Sequence, residues 1–166
     1  MTILMNGYWY GPYSYASYDP YLPVAQEQHD ERMQTVLRLI QEAIEDERHD
    51  ELFYDYLISV APTEQEKQVI TSIRDDERKH RSLFRQIYTQ LTGQRPSISG
   101  QEEPFQKPAS YLEGIEKALM GELKAFEKYR VIYKYIPVQF RDTIFEIMTD
   151  EMKHASYYNW LYAKNK

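Results

Sequence analysis

Apolar residues recur every three or four positions along most of the chain, which is the spacing of an amphipathic helix. The pattern predicts four helices, at about 24–61, 63–91, 109–136 and 138–164. Thr63 and Glu66 have the spacing of a capping box, which indicates that the second helix starts at this point. The chain is therefore predicted to be all-α.

The connections between the predicted helices differ in length. Short turns at Pro62 and Pro137 separate the first helix from the second and the third from the fourth, so we expect the first two to pack antiparallel. Residues 92–110 hold two Gly and three Pro residues and predict a long connection. Residues 24–166 are thus predicted to form a four-helix bundle with one long crossover between the second and third helices.

Residues 1–23 form a separate segment in this interpretation. Six Tyr residues between positions 8 and 21 alternate with Gly, Pro, Ser and Asp, and Pro12, Pro20 and Pro23 prevent a continuous helix. Two interpretations stay open for this N-terminal extension. It is either a flexible tail or strap over the bundle surface, or an interaction or cross-linking segment.

Composition narrows the classes of function. The chain has no Cys, which excludes disulfides, Cys-bound zinc and thiol catalysis. Its net charge of −6 argues against nucleic acid or an anionic membrane as the main partner. No apolar run approaches the ~20 residues of a membrane span, and the N-terminus lacks the pattern of a secretory signal. We therefore expect a cytoplasmic protein.

The two halves of the chain repeat each other. Glu47 corresponds to Glu122, and a Tyr stands seven residues after each, at Tyr54 and Tyr129. The groups Asp76-Glu77-Arg78-Lys79-His80 and Asp150-Glu151-Met152-Lys153-His154 also correspond. The repeat preserves polar residues on otherwise apolar stripes, where an unpaired carboxylate is costly. Something must offset that charge.

The repeated Glu and His residues have the spacing of metal ligands. In each Glu-x-x-His pair the side chains lie about 60° apart around the helix and ~4.5 Å apart along it, so both can reach one point. One Glu from each remaining helix completes the set, and the predicted ligands are Glu47, Glu77, His80, Glu122, Glu151 and His154. Four carboxylates balance two divalent cations, and Fe, Mn and Zn all accept these ligands.

The full pattern resembles the rubrerythrin-like branch of the ferritin-like superfamily over about residues 25–164. The residues that carry the resemblance are Ala43, Ile44, Glu47, Tyr54, Glu77 and His80, and their repeat Ala118, Leu119, Glu122, Tyr129, Glu151 and His154. The resemblance implies a ferritin-like antiparallel four-helix bundle around two metal ions, with iron as the first candidate and Mn or Zn as alternatives. It also implies that Glu77 and Glu151 bridge the metals or bind beside them, while His80 and His154 each cap one.

Four further residues receive roles from the resemblance. Tyr54 and Tyr129 would donate hydrogen bonds to ligand carboxylates, and Asp76 and Asp150 would orient the His rings. The alternatives are ordinary core packing for the Tyr pair and a solvated helix face for the Asp pair.

The chain also departs from the rubrerythrin pattern. Rubrerythrins usually carry a second Glu three residues after the ligand of the third helix, where this chain has Ala125. They often have a Cys-rich iron domain, which a chain without Cys cannot form. The resemblance therefore does not extend to the electron delivery and the metal movement associated with rubrerythrin peroxidase chemistry.

Two classes of function follow. The first is an oxidoreductase that acts on dioxygen or peroxide, with Fe(II) oxidation or peroxide removal as the outcome. The second is a structural or coat-type protein on a metal-stabilised bundle, which the Tyr-rich segment favours. In either case we expect a homo-oligomer, a dimer or larger.

Overall fold

Four helices make up most of the structure. The computed structural model describes residues 22–97 and 105–166, without the side chains of 22–25 and 47–50. The helices are α1 (Leu22–Val60), α2 (Glu64–Thr92), α3 (Tyr111–Tyr135) and α4 (Arg141–Asn165), and a 3-10 turn, Val138–Phe140, leads into α4. These two ranges contain no strand. The predicted all-α class is confirmed, and residues 1–21 of the predicted extension lie outside the described residues.

The helix ends follow from local chemistry. The Thr63 hydroxyl caps α2 by accepting a hydrogen bond from the Glu66 N–H at 3.3 Å, which confirms the predicted start of this helix. The Ser110 hydroxyl caps α3 in the same way through the Glu113 N–H, at 3.1 Å. α2 ends at Thr92 and is capped by Gly93, whose φ of 71° lies in the left-handed region that favours glycine.

The helices pack as neighbours in a four-membered ring: α1 contacts α2 and α3, and α4 contacts the same two helices. Along α1 and α3 the contacts run in opposite order, from Asp46 with Lys128 to Tyr54 with Glu122, so these helices are antiparallel. The Tyr111 hydroxyl in the first turn of α3 donates to Glu66 in the first turn of α2. These two helices therefore start at the same end, and the chain between them must return along the length of the bundle.

Two apolar clusters occupy the interior, one towards each end. One includes Phe84 and Ile87 of α2 with Ile132 of α3. The other includes Ile70 of α2 and Ile115 of α3. Between them lies a buried polar layer, which consists of Glu77, His80, Glu122, Glu151 and His154. The apolar clusters on both sides shield this layer from water.

In the described part of the chain, no helix combines the length and apolar character that crossing a membrane requires.

A second buried carboxylate, that of Glu66, ties three helix ends together. Its side chain is 1% exposed. It accepts hydrogen bonds from the Tyr111 hydroxyl at 2.9 Å, the Asn165 amide at 3.1 Å and the Thr63 hydroxyl at 3.1 Å. Lys164 forms an ion pair with it at 3.1 Å. Burial alone would raise the pKa of Glu66, but these donors hold it below its usual value.

Glu66→Ala should lower the free energy of unfolding by about 1–3 kcal/mol, because it leaves the half-buried donors Tyr111 of α3 and Asn165 of α4 without their acceptor. Glu64→Ala is the matched control, since that side chain is exposed on the same turn of α2 and its loss should cost less than about 0.5 kcal/mol. Urea unfolding of the metal-free protein measures both. Equal stability of the two variants would contradict the assigned role of Glu66.

Candidate metal centre

Three helices contribute side chains that meet in the polar layer. α2 supplies Glu77 and His80, α3 supplies Glu122, and α4 supplies Glu151 and His154. One ligand atom from each of Glu77, Glu122, Glu151 and His154 lies within 4.8 Å of the others. The three-residue spacing on α2 and α4 places each Glu and His on the inward face of its helix. Five of the six predicted ligands therefore converge in the interior.

The sixth predicted ligand, Glu47, lies in α1, but its side chain is outside the described residues. Its assignment as a ligand stays a prediction.

The carboxylates of Glu77 and Glu151 lie between the two imidazoles. Glu77 turns Oε1 towards Nδ1 of His154 at 2.9 Å and Oε2 towards Nδ1 of His80 at 3.5 Å. Glu151 does the same in reverse, with Oε1 at 3.2 Å from Nδ1 of His80 and Oε2 at 3.9 Å from Nδ1 of His154. Each carboxylate thus presents one oxygen to each imidazole.

The outer nitrogens of the imidazoles are held by Asp residues of the opposite helix. Nε2 of His80 lies 3.2 Å from Asp150, and Nε2 of His154 lies 3.1 Å from Asp76. Because an ionised carboxylate can only accept, each contact places a proton on Nε2 and turns Nδ1 towards the polar layer. Both Nδ1 atoms are therefore oriented as ligand atoms.

The two Asp residues are ionised in this setting. Burial alone would raise the pKa of Asp76 and of Asp150, but the bonds from Lys153 and from the His rings hold both below the usual value. Of the two open interpretations, the contacts match orientation of the His rings better than a freely solvated face.

The Tyr pair is buried near the layer. The Tyr54 hydroxyl donates to Oε1 of Glu122 at 3.3 Å, while Oε2 of Glu122 lies 3.6 Å from Nδ1 of His154. Tyr129 is 3% exposed and packs its ring on Phe84, with centroids 5.0 Å apart. Tyr54 therefore makes the contact that the resemblance implies. The described contacts of Tyr129 show its packing role.

The pKa values of the polar layer are strongly perturbed. Burial raises the pKa of Glu151 well above its usual value, and the nearby Glu77 and Glu122 carboxylates raise it further. Burial would lower the pKa of His154, but close contacts with Glu122 and Glu77 outweigh it and raise this pKa to about 10. The Glu77 carboxyl is buried too, yet contacts with His154 and His80 keep its pKa low. Without a metal, protons therefore supply the positive charge that the layer needs.

The donor set fits a metal centre. Among the described residues, Oε1 of Glu77, Oε1 of Glu151 and Nδ1 of His154 are buried and form no hydrogen bond of acceptable geometry, although they lie close together. Buried polar atoms are normally satisfied. Carboxylate oxygens and imidazole nitrogens are ligands for Fe, Mn or Zn, so cations between them would satisfy all three. Glu77, Glu122, Glu151 and His154 can hold metal, and its identity is not fixed by this geometry.

Two features of the site were missed from the sequence. The Asp–His contacts are crosswise between helices, and Lys153 joins both Asp residues, at 2.9 Å to Asp76 and 2.6 Å to Asp150. The repeated Asp-Glu-x-Lys-His pattern contains all the residues involved. Which of them meet depends on how α2 and α4 are aligned along each other, and the sequence pattern does not give that alignment.

Comparison with known proteins adds no assignment. No family model matches the chain, and neither a curated protein nor a solved structure matches it. The functional argument therefore depends on the geometry of the polar layer.

The metal-free protein should lose thermal stability as pH rises from 6.5 to 9. The pKa of His154 is raised from the 6.5 of an unperturbed imidazole to about 10 in the fold, so its stabilising proton is fully present below 6.5 and is lost towards 10. The raised pKa of Glu151 acts in the same direction, whereas the lowered pKa of Glu77 acts only below 4.5.

Thermal unfolding in the presence of a chelator tests this pH dependence. We expect the unfolding temperature to fall by several degrees over that range, and to fall less in His154→Gln, which lacks the titrating group. A level or rising unfolding temperature would show that the layer does not hold these protons.

Proposed function

We propose that this protein is a ferritin-like di-metal carboxylate protein that binds two iron ions in the polar layer and acts on dioxygen or peroxide. The observation that carries the proposal is the placement of Glu77 and Glu151, each with one oxygen facing each imidazole. One cation beside each Nδ1 atom would share both carboxylates. The helix directions, with α2 and α3 starting at the same end, also support a ferritin-like topology.

The residues of the polar layer would have different roles in binding the two ions. Glu77 and Glu151 would bridge the two ions, His80 and His154 would each bind one through Nδ1, and Glu122 would bind on the His154 side. By the internal repeat, Glu47 would take the corresponding place on the His80 side. The Tyr54 hydroxyl would donate to Oε1 of Glu122 and so hold that carboxylate in place. Asp76 and Asp150 would keep the proton of each imidazole on Nε2.

Two bound iron ions would supply one electron each for the reduction of dioxygen or peroxide. The chain contributes a buried site with aligned ligands, since the apolar clusters on either side exclude bulk water. It also provides groups that exchange protons for metal, because Glu151 and His154 hold protons in the metal-free fold. The 166 residues have no Cys and therefore no thiolate ligands for an iron–sulfur cluster that could deliver electrons.

The protein should bind about two metal ions per chain, as the ligand count implies, and should oxidise added Fe(II) rapidly. Glu77→Ala/Glu151→Ala removes both bridging carboxylates and should abolish this oxidation. Glu127→Gln is the control, because that carboxylate is on the exposed face of α3. Stopped-flow absorbance after mixing with dioxygen or peroxide measures the rate, and circular dichroism checks that each variant is folded. Oxidation by the double variant at the control rate would exclude the redox function.

The alternative function is a structural or coat-type protein in which the metal serves folding. The raised pKa of Glu151 favours it, because burial, and then the nearby Glu77 and Glu122 carboxylates, make an ionised metal-free layer costly. Deletion of residues 1–21 removes the Tyr-rich segment and leaves every described helix intact. Loss of assembly with unchanged Fe(II) oxidation would favour the structural function, and the reverse result would favour the oxidoreductase.

A further inference from the structure

Lys153 is shared by the two Asp–His pairs of the candidate centre. Among the described residues it alone donates to both Asp76 and Asp150. Asp150 gives one oxygen to Lys153 and the other to His80, while Asp76 uses Oδ2 for both Lys153 and His154. One ammonium group on α4 therefore touches both carboxylates that orient the imidazoles.

The corresponding lysine of the repeat makes its described hydrogen bond elsewhere, although its charge lies near both Asp residues. Lys79 occupies the same place in the Asp-Glu-x-Lys-His group of α2, but its ammonium pairs with Glu146 of α4. The residue of α2 that corresponds to Glu146 is Ser72, whose hydroxyl bonds to its own helix at the Val69 carbonyl, 2.8 Å away. Position 72 therefore offers no carboxylate to Lys153, and the ammonium group of Lys153 donates to Asp76 and Asp150. The asymmetry coincides with a difference between the halves, a Glu at position 146 against a Ser at position 72.

The Asp residues need such a restraint because they are not fully buried. The side chain of Asp150 is 20% exposed and that of Asp76 is 33% exposed, whereas both His side chains are 0% exposed. A partly exposed carboxylate can rotate towards water and release its imidazole. Lys153 opposes that rotation for both Asp residues at once.

We infer that Lys153 is a positioning residue for both imidazole ligands and that Lys79 is not. This inference rests on the proposed metal centre, because it concerns how the ligands of that centre are held. Loss of a group that holds a ligand typically weakens metal binding 10–100-fold. Lys153 acts one contact further out, so the effect should lie at the lower end of this range.

Lys153→Met and Lys79→Met form a matched pair, since each removes the ammonium group from an equivalent position and keeps a long side chain. Co(II) is a suitable probe, because its visible absorption reports the geometry of its ligands and its affinity can be measured by competition with a chelating dye. We expect Lys153→Met to bind Co(II) about tenfold more weakly, with a changed spectrum. Lys79→Met should match the wild type, and Lys153→Arg, which can still donate to two carboxylates, should recover most of the affinity.

A second measurement needs no metal. In the ¹H–¹⁵N spectrum of the imidazole groups of the metal-free protein, Lys153→Met should broaden or shift the Nε2–H signals of both His80 and His154. Lys79→Met should leave them in place. Unchanged signals and unchanged Co(II) affinity in Lys153→Met would overturn the inference, as would equal effects of the two Met variants. Failure of the wild type to bind Co(II) would instead remove the proposed metal centre, and the inference with it.

Discussion

The burial of carboxylates and imidazoles at one level of the bundle is the constraint on which the structure depends. Apolar clusters lie on both sides of the polar layer, so its charges cannot be solvated and must compensate one another. Glu77 does this through His80 and His154, while Glu151 is driven to keep its proton. Each helix that contributes to the layer must bring its groups to the same height. The rotation and register of these helices are therefore set by the same contacts that form the candidate centre.

The spacing of apolar residues along the chain was enough to predict the helices and part of the polar layer. The all-α class, the Thr63 cap of α2 and four helices close to their predicted bounds follow from signals within a few residues of each other. The convergence of Glu77, His80, Glu151 and His154 also follows from helix geometry, because a spacing of three residues places both members of each pair on one face. The resemblance to rubrerythrin-like proteins stays an expectation, since no comparison bears on it.

What the sequence did not predict depends on tertiary register. The capping-box spacing indicated only a local pairing of Glu66 with Thr63. The structure keeps that contact and also buries the Glu66 carboxylate among Tyr111, Lys164 and Asn165, residues far away in the chain. The contacts of Lys153 are a similar case, because they join it to Asp76 of the other helix as well as to Asp150 of its own. Neither outcome is visible from spacing within one helix.

The crosswise Asp–His contacts have a consequence for how the two halves can change over time. Asp76 contacts His154 and Asp150 contacts His80. A substitution of either Asp therefore removes a contact from the imidazole of the other half. The duplicated segments therefore cannot drift apart freely at these positions, and neither half could be exchanged for an unrelated helical hairpin without loss to both. The two halves of the repeat therefore depend on each other, because each supplies the Asp that contacts the imidazole of the other.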